Sequence, residues 1–478
     1  MIKGYRRLNG LAGAIASAGL ALTLIILPEL AVAKSSPKST PNVVLILLDD
    51  AGVETVGAYG SEIDTPNIDK LAEEGVLFKN GHATPVCTPS RTRMLTGTHN
   101  FRHYTNFMTL DPSAFTVSEF MQKQGYETLV AGKWQLLGTM RDKILKGSRP
   151  ADAGFMESFV WQVEPLQKGM RYWGPTFEEN GRLTRFCNDE FGPDLTNDYT
   201  LDFIQRRKDR PFFILYSMLL PHDDLRLETS KWVRTPDSMQ AVSTQERFHG
   251  MMAYADKLIG NIVSAIDDEG LTENTIIWLL GDNGTHPDIV TRMGNEFIRG
   301  GKWTTTDSGT HVPFIIKWPA KLAAGQQLNS LVEIMDVFPT LASALGRAVP
   351  AGLDGKNLLP LMIGEVDEVR DAIFMHYAPR QSPSAPPWVH TRFIFDKEYK
   401  LYHDGRFYDL EANPNETPTY FYRDRKAAFI AFKKLFELMQ DIDDPALPAI
   451  TSPLDPYERP EALQLNEPAR CGDRQPET

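Results

Sequence analysis

Four largely apolar runs constrain the fold of this chain more than any other feature. Runs of this kind, rich in branched residues, are typical of strands that are buried on both faces of a sheet. They are NVVLILL at 42–48, PFFILYSML at 211–219, NTIIWLLG at 274–281 and VPFIIKW at 312–318. A further strand is predicted at 127–131, and helices are predicted between the strands at 65–75, 117–124 and 246–268. This alternation predicts an α/β fold with a large mixed, mostly parallel sheet flanked by helices.

Polar residues follow three of these strands directly. They are Asp49-Asp50, His222 and Asp282-Asn283. Asp and Asn are common in turns and caps, which would explain any one of the three. Parallel sheets, however, carry their sites at the carboxyl ends of the strands, where these residues would meet. Three such clusters at one edge favour a shared functional site.

The composition restricts the partners of the protein. Hydrophobic residues make up 42% and charged residues 23% of the 478 residues, as in ordinary soluble globular proteins. The formal net charge of -12 argues against broad binding to nucleic acid or anionic lipid. A small anionic group could still bind in a locally basic pocket.

The N-terminus has the pattern of a secretion signal. A positively charged start precedes an apolar run at 11–27, the helix-breaking Pro28 and the small-residue site Ala31-Val32-Ala33. We expect a signal peptide at 1–33, cleaved after Ala33, and a Ser/Pro/Lys linker at 34–41. An uncleaved signal anchor is the alternative, because the apolar run approaches membrane-spanning length. Cleavage predicts an exported protein, periplasmic or secreted, that is not attached to a membrane.

The pattern of the sequence changes after about residue 368. A Pro/Ser-rich loop at 378–388 precedes short strand-like pieces and a final amphipathic helix. The pieces lie at 392–395, 399–403 and 406–410, and the helix lies at 425–441. We therefore predict a main domain at 42–370, and a small α+β C-terminal subdomain with a tail at 371–478.

One cysteine lies in a distinctive pattern, Cys87-Thr88-Pro89-Ser90-Arg91 followed by Thr96-Gly97. This segment resembles the signature C-x-P-S-R-x-x-x-x-T-G of the formylglycine-dependent (type I) sulfatases of the alkaline-phosphatase superfamily. The resemblance runs from about residue 42 to residue 416. Further matching blocks, in the family's order, are TPNIDKLAEEGVLF, GYETLVAGKW, GDNG, DVFPTLASALG and FYDLEANPNE.

The resemblance implies a sulfuric ester hydrolase in which a maturation enzyme oxidises Cys87 to formylglycine. The hydrate of formylglycine carries two hydroxyls on one carbon. One hydroxyl attacks sulfur, and deprotonation of the other expels sulfate and restores the aldehyde. The alternatives for Cys87 are a buried structural thiol and half of a disulfide. If Cys87 is modified, the other two cysteines, Cys187 and Cys471, could pair in an oxidising compartment.

The acidic residues at the strand ends offer only oxygen ligands. Carboxylate and amide oxygens favour a hard cation, Ca²⁺ or Mg²⁺, over zinc. The resemblance implies that a divalent metal, usually calcium, is bound together with the formylglycine. The implied metal ligands are Asp49, Asp50, Cys87, Asp282 and Asn283.

The resemblance also implies roles for three cationic residues and one histidine. Arg91 matches the arginine that steadies the formylglycine hydrate, and Lys133 and Lys302 match the sulfate-binding lysines. Their positive charge would offset the charge that develops on the sulfate and leaving oxygens. His222 matches the histidine that contacts the ester oxygen and protonates the leaving alcohol. Taken alone, each lysine would be read as a solvated surface residue and His222 as a turn residue.

The chain departs from the family pattern at two places. Gln135, a predicted substrate-binding residue, stands where the family block G-K-W-H-L has histidine. Glutamine can donate a hydrogen bond but cannot carry a proton in acid–base work. The segment DSGTHVP at 307–313 replaces E-G-G-x-R-V-P. These departures leave open how the nucleophile is deprotonated, whereas the metal ligands, Cys87 and His222 predict an active enzyme.

We expect the substrate to be a sulfated carbohydrate, within the broader class of sulfated small molecules, since an exported hydrolase meets extracellular polysaccharide. Aromatic side chains in loops on a rigid scaffold could stack on its sugar rings. The candidates are Trp161, Tyr172, Trp173 and Phe177, with Trp388 and His390 on the other side of the cleft. One alternative is hydrolysis of a phosphonate or phosphate diester with the same nucleophile and metal. The other is a catalytically inactive sulfated-glycan binding protein, which only the Gln135 substitution supports.

Overall fold

A ten-stranded sheet forms the centre of the structure. The computed structural model describes residues 40–103, 107–138, 147–161, 170–224, 232–378, 391–417 and 423–442. In these residues the strands are β1 (Asn42–Leu48), β2 (Val76–His82), β3 (Glu127–Lys133), β4 (Glu157–Trp161), β5 (Thr176–Glu179), β6 (Arg182–Arg185), β7 (Phe212–Ser217), β8 (Thr275–Gly281), β9 (Val290–Met293), β10 (Glu296–Arg299), β11 (Phe314–Lys317), β12 (Gln326–Glu333), β13 (Ile373–Tyr377), β14 (Thr391–Phe395), β15 (Tyr399–Tyr402) and β16 (Phe407–Asp409). The helices are α1 (Pro66–Glu73), α2 (Cys87–Thr96), α3 (Val117–Lys123), α4 (Gly192–Arg207), α5 (Thr244–Asp268), α6 (Asp307–Thr310), α7 (Val337–Ala344), α8 (Leu359–Met362) and α9 (Arg425–Gln440).

The order of strands in the large sheet is β12-β2-β11-β8-β1-β7-β3-β4-β5-β6. From β8 to β4 in this order, neighbouring strands run parallel. Both β11 and β5 run antiparallel to their neighbours. The sheet is therefore mixed and mostly parallel, as predicted. Because β7, β1 and β8 are adjacent and parallel, the residues that follow them lie at one edge.

The apolar run of β1 is explained by cores on both faces of the sheet. Every residue of β1 is buried, and successive side chains point to opposite faces. Ile46 and Leu48 pack in one core with residues of α1, α4 and α5. Leu45 and Leu47 pack in a second core with residues of α2, α3 and α7. The strand therefore has no polar face, which is why its sequence does not alternate.

A second sheet, antiparallel and four-stranded, has the order β13-β14-β15-β16. One face packs against α9 through residues such as Ile394 and Leu401. The opposite face packs on Val86 and Cys87, at the start of α2, through residues such as Met375. The predicted α+β C-terminal part is thus confirmed, and its sheet covers the segment that carries Cys87.

Most of the predicted elements are confirmed, with ends that differ by a few residues. The strand predicted at 127–131 continues to Lys133, and the run at 312–318 forms β11, which is antiparallel to both neighbours. The predictions did not include β2 or α2. The polar segment KNGH interrupts the apolar pattern of β2, and α2 is rich in Thr and Ser and lacks apolar periodicity.

Some predictions are not tested by the described residues. The signal peptide at 1–33 and the linker up to residue 39 lie outside them. The boundary between a domain at 42–370 and one at 371–478 stays a prediction. In the part of the chain that the structure describes, no helix is both long and apolar enough to cross a membrane.

Candidate active site

The carboxyl ends of β1 and β8 bring four predicted ligands together. Asp49 and Asp50 directly follow β1, and Asp282 and Asn283 directly follow its parallel neighbour β8. The amide N–H of Asp50 donates to Oδ1 of Asp282 at 3.1 Å, and Nδ2 of Asn283 donates to Oδ1 of Asp50 at 2.8 Å. All four side chains are buried. The pairing of two parallel strands therefore fixes their positions.

The signature residues around Cys87 hold the start of α2 in place. The amide N–H of Thr84 donates to Oγ of Ser90 at 2.9 Å, which ties the helix to the loop before it. The helix ends at Gly97, whose φ of 64° lies in the left-handed region that glycine adopts readily. A Cβ at this position would lie 3.1 Å from Phe338. The pattern C-T-P-S-R-x-x-x-x-T-G thus builds a short buried helix with Cys87 at its first residue.

Cys87 lies beside the acidic residues. Its Sγ and one carboxylate oxygen each of Asp49 and Asp282 lie within 4.8 Å of one another. The thiol is free and buried. Burial raises the pKa of the thiol, the charge of Lys133 opposes this, and the carboxylates of Asp282 and Asp49 add to it. We refer to Asp49, Asp50, Cys87, Asp282 and Asn283 together as the acidic floor.

Two buried lysines form ion pairs with the acidic floor. Lys133, the last residue of β3, places Nζ 2.6 Å from Oδ1 of Asp49. Lys302 places Nζ 2.5 Å from Oδ2 of Asp50. Burial alone would lower the pKa of each ammonium, but the neighbouring carboxylates outweigh burial and raise both pKa values. Both lysines are therefore positively charged.

His222 enters the site from the loop after β7. Its Nδ1 lies 2.7 Å from the carbonyl oxygen and 2.8 Å from the carboxylate of Asp223, so this nitrogen carries the proton and donates it. Nε2 then accepts from Nζ of Lys302 at 3.1 Å. Burial lowers the pKa of His222 well below its ordinary value, and the charge of Lys302 lowers it further. The imidazole is therefore neutral, with its acceptor nitrogen turned to Lys302.

Arg91 supports the segment that carries Lys133. Nη1 donates to the carbonyl oxygen of Trp134 at 2.6 Å, and Nη2 donates to Oγ of Ser217 at 3.0 Å and to the carbonyl oxygen of Lys133. The guanidinium thereby joins α2 to the ends of β3 and β7. Its implied role at the formylglycine stays a prediction.

Gln135, which stands where the family has histidine, contacts Cys87 directly. Sγ of Cys87 lies 3.8 Å from Oε1 of Gln135. The turn that presents this side chain begins at Gly132, where a Cβ would lie 1.9 Å from the carbonyl oxygen of Ser217. Gln135 itself has a φ of 51°, a strained conformation for a residue with a side chain. At this contact Cys87 meets an amide, which forms hydrogen bonds but does not take up a proton.

No sequence signal marked Arg171, which the structure places beside Asp49. Nη1 of Arg171 lies 3.8 Å from Oδ2 of Asp49, and the guanidinium lies over the ring of Trp161 at 4.5 Å. Arg171 is buried, and its Nε and Nη1 have no hydrogen-bond partner among the described residues. A further positive charge therefore lies next to the floor.

The loop after Lys302 forms one edge of the site, and we refer to residues 303–306 as the rim loop. The second sheet holds this loop in place. Oη of Tyr377 donates to the carbonyl oxygen of Trp303 at 2.9 Å, and Nζ of Lys400 donates to the carbonyl oxygen of Thr305. Oη of Tyr402 lies 2.8 Å from Oγ1 of Thr305. The rim loop thus depends on residues from a different sheet.

The prediction that aromatic residues at 161–177 stack on sugars is wrong for Trp161, Tyr172 and Phe177, because all three are buried in the core. The hydroxyl of Tyr172 instead donates to the carbonyl oxygens of Leu219 and His222, which fixes the loop after β7. The aromatic pattern of this segment reflects packing.

The other predicted aromatic positions give no support for a sugar-binding cleft at these residues. Trp173 packs against the same core, and its Nε1 donates to the carbonyl oxygen of Arg234 at 2.9 Å. Trp388 and His390 lie outside the described residues. So does Cys471, and its pairing with Cys187 stays a prediction.

The residues predicted to bind the metal, to bind the sulfate or to take part in catalysis lie together, and one family model matches the part of the chain that contains them. The model described as Sulfatase matches residues 41–347, more than half of the chain, and contains the floor and both lysines. The chain belongs to the sulfatase family. Sulfatases are sulfuric ester hydrolases, so the predicted enzyme class is confirmed. A second model, N-sulphoglucosamine sulphohydrolase, C-terminal, matches residues 301–443, which include the rim loop and the second sheet.

Relatives over most of the chain are sulfatases with different substrates in their names. An N-acetylgalactosamine-6-sulfatase of Canis lupus familiaris is 30% identical and covers 71% of this chain and 69% of its own length. An N-acetylgalactosamine-6-O-sulfatase of Bacteroides thetaiotaomicron is 26% identical and covers 79% of this chain and 88% of its own length. A steryl-sulfatase of Rattus norvegicus is 28% identical, with coverage of 75% and 76%.

Solved structures confirm the fold. The structure of Ps i-CgsB with k-i-k-neocarrahexaose has a TM-score of 0.69 and 22% identity, and covers 84% of this chain and 92% of its own. A structure in complex with its substrate D-glucosamine-2-N,6-O-disulfate has a TM-score of 0.65 and 20% identity, with coverage of 84% and 98%. A phosphonate monoester hydrolase of Agrobacterium radiobacter has a TM-score of 0.62 and 21% identity, with coverage of 84% and 95%. The fold is that of the alkaline-phosphatase-like superfamily.

Proposed function

We propose that this sulfatase removes sulfate from a sulfated carbohydrate, using a formylglycine made from Cys87 and a divalent cation held by the acidic floor. The observation that carries the proposal is the position of Cys87. Its Sγ lies with carboxylate oxygens of Asp49 and Asp282, and the charged Lys133 and Lys302 contact the same floor. A nucleophile, a cation site and positive charges for an anionic substrate therefore converge.

The residues of the floor fit a divalent cation. Oδ2 of Asp49 and Oδ1 of Asn283 are buried oxygen atoms without a hydrogen-bond partner among the described residues. Buried acceptors of this kind are costly unless a ligand satisfies them. With Asp50 and Asp282 they form an oxygen-rich donor set, which suits Ca²⁺ or Mg²⁺. When bound, the cation would supply Lewis acidity at the sulfate group and at the nucleophile.

The oxidised side chain of Cys87 would act as the nucleophile, at the place that Sγ now occupies. One hydroxyl of the hydrate attacks sulfur, the bond between sulfur and the alcohol oxygen breaks, and the alcohol leaves with a proton. The second hydroxyl then loses its proton, the bond between carbon and the sulfate oxygen breaks, and the aldehyde is restored. The thiol has no second group for this step, and burial keeps it protonated.

The two lysines and His222 would bind the sulfate and assist the departing alcohol. Each ammonium has three N–H donors, so a lysine can contact sulfate while it keeps its carboxylate partner. Lys302 donates to Nε2 of His222 at 3.1 Å, so this pair holds a proton where the leaving oxygen needs one. Arg171, whose ion pair with Asp49 places its guanidinium beside the floor, adds positive charge to the same pocket.

The formylglycine is tested by mass spectrometry of the tryptic peptide at 80–91, taken from protein made in its native host. We expect an aldehyde group in place of the CH₂SH side chain of Cys87. The same measurement tests for the maturation enzyme that the resemblance implies as a partner, because formylglycine is the product of that enzyme. A uniformly unmodified thiol would contradict the mechanism.

The carbohydrate substrate is supported by relatives named after sulfated amino sugars, from a mammal and from a bacterium. A panel of N-acetylgalactosamine 6-sulfate, glucosamine 6-sulfate, sulfated carrageenan oligosaccharides, a steroid sulfate and an aryl sulfate tests it. An aryl phosphonate monoester and an aryl phosphodiester are included because a phosphonate hydrolase shares the fold. We expect kcat/KM to be highest for a sulfated sugar. Efficient turnover of steroid, aryl or phosphorus esters without release of sulfate from any sugar would contradict the proposal.

A further inference from the structure

Trp303 is more exposed than Trp161, Tyr172, Trp173 and Phe177, the described aromatic residues that were predicted to bind the substrate. Its side chain is 45% exposed, although it directly follows the buried Lys302. Its φ of 70° lies in the left-handed region, which is a genuine outlier for a bulky side chain. Residues held in such a conformation cluster at functional sites, because the surrounding structure must enforce it.

The surroundings of Trp303 hold its backbone and leave its ring accessible. The amide N–H donates to the carbonyl oxygen of Pro85 at 2.8 Å, and the carbonyl oxygen accepts from Oη of Tyr377 at 2.9 Å. The ring stands edge-on to that of His286, with centroids 5.0 Å apart and an interplanar angle of 81°. Nζ of Lys302 lies 5.0 Å from the centre of the ring. The ring is therefore fixed in position next to the floor, with part of its surface open.

The position of the Trp303 ring relative to the leaving oxygen of the substrate indicates which ligand the ring would bind. The alcohol oxygen of the substrate must lie near Nε2 of His222, which is 3.1 Å from Nζ of Lys302. In a sugar sulfate the ring begins one or two bonds from that oxygen, within reach of the side chain that follows Lys302, whose ring centre lies 5.0 Å from Nζ. A pyranose presents apolar C–H groups on one face, and the flat face of tryptophan packs against such surfaces while its edge stays wet.

We propose that Trp303 is the platform on which the sugar ring that bears the sulfate stacks. This proposal rests on the proposed function, since it requires a sulfated carbohydrate. It separates two tasks: the floor and the lysines bind the sulfate group, and Trp303 binds the ring. Among the exposed aromatic residues that the structure describes, Phe115 and Phe429 stack with Lys123 and Lys433, which are not site residues, whereas Trp303 contacts Lys302.

The test compares Trp303→Ala and Trp303→Phe with Phe429→Ala, which removes an exposed ring on α9, a helix that packs on the far face of the second sheet. The substrate is the sulfated sugar of the panel that the wild-type enzyme hydrolyses best. We expect KM to rise about tenfold in Trp303→Ala, the size of a stacking interaction of about 1.4 kcal/mol. The rise should be smaller in Trp303→Phe, and absent in Phe429→Ala. The value of kcat should change little in all three.

Inorganic sulfate as a competitive inhibitor distinguishes stacking from a structural effect. It binds only where the sulfate group binds, so its inhibition constant should stay the same in Trp303→Ala. The desulfated sugar, which binds only through its ring, should lose inhibition in the same variant. Thermal unfolding and the formylglycine content of each variant are measured alongside.

The outcomes separate this inference from the proposed function. If the wild-type enzyme releases sulfate from sugars but KM is unchanged in Trp303→Ala, the platform is wrong and the function stands. If the inhibition constant for inorganic sulfate rises together with KM, Trp303 acts only by positioning Lys302, and the platform is again wrong. If no sulfated sugar is hydrolysed, both the proposed function and the proposed role of Trp303 are wrong.

Discussion

The carboxylates of the acidic floor directly follow β1 and β8, whereas the rim loop is held by side chains of a different sheet. In the floor, Asp50 and Asp282 are fixed by hydrogen bonds between two adjacent strand ends. In the rim loop, Trp303 and Thr305 are fixed by Tyr377 and Lys400, which lie far along the chain. The difference suggests a division of work. On the proposed function, the floor would determine whether a sulfate ester is cleaved, and the rim loop would determine which alcohol component of the ester is accepted.

The sharpest test of this division is the loss of the nucleophile. Cys87→Ala removes the proposed nucleophile, so we expect sulfate release to fall to the background rate on every substrate. Ion chromatography of released sulfate measures it, and the thermal midpoint shows whether the variant is folded. Turnover that exceeds background on any sulfated sugar would mean that another residue attacks sulfur.

The second test removes one carboxylate of the floor. Asp282→Asn lowers the negative charge of the cation site, so we expect Ca²⁺ affinity, measured by calorimetry, to fall at least about tenfold and turnover to fall severely. Exhaustive chelation of the wild-type enzyme should abolish turnover as well. Asp268→Asn, an exposed position at the end of α5, is the control. Full activity after verified metal removal would refute the cation site.

Both lysines form ion pairs with the floor, and their removal should affect both stability and rate. Lys133→Ala or Lys302→Ala removes the lysine partner of a buried carboxylate, which costs up to about 3–5 kcal/mol of the free energy of unfolding, and less for Asp49, which keeps Arg171. We also expect the rate of sulfate release to fall by about 10²–10³, as for the loss of one stabilising donor. Lys257→Ala, which breaks an exposed ion pair, should change neither. Denaturant unfolding measures the stability of each variant, and steady-state kinetics measures kcat. An unchanged kcat in both site variants would contradict the proposed role of the lysines.

Gln135→His tests whether the floor lacks a proton carrier. Histidine tolerates the left-handed backbone at this position better than most residues. We expect the rate to rise by up to about tenfold and the pH–rate profile to gain a limb near the pKa of the new imidazole, since proton transfer becomes direct. Gln135→Asn keeps an amide and should gain no such limb. A profile identical to that of the wild type would show that deprotonation does not pass through this position.

The smallest effect is expected at the rim loop. Tyr377→Phe removes one hydrogen bond to the carbonyl oxygen of Trp303, worth about 1 kcal/mol. We expect KM for the sulfated sugar to rise about two- to threefold, less than in Trp303→Ala, with kcat and inhibition by inorganic sulfate unchanged. A fall in kcat as large as that in a lysine variant would contradict the proposed difference in role between the rim loop and the acidic floor.

The acidic and amide residues of the floor could be predicted from the sequence because they directly follow strands, whereas Cys87 was found by its signature. A buried apolar run predicts a strand, and parallel neighbours place the next residues at one edge, so Asp49 and Asp282 were predicted to meet. Family resemblance added Lys133 and Lys302, whose own surroundings in the sequence say little about a site.

The rim loop and the aromatic residues could not be predicted in the same way. Trp161 and Tyr172 are aromatic residues of the kind that can stack on sugar rings, but only the fold shows that they are buried. Trp303 has a positive φ, and no propensity marks a tryptophan for that conformation. Arg171 lies next to Asp49 through contacts between distant parts of the chain, which a single sequence does not encode locally.

Cys87 is 3% exposed, and the second sheet packs over it. An enzyme that oxidises this thiol needs access to it, and in the folded protein Cys87 and its neighbours Val86 and Thr88 are buried. The proposed oxidation of Cys87 would therefore have to precede folding, and the yield of active enzyme would depend on the competition between oxidation and folding. Because the second sheet is encoded after residue 370, it would cover Cys87 only after most of the chain has been made. A variant that folds faster would then give more folded molecules and fewer active ones.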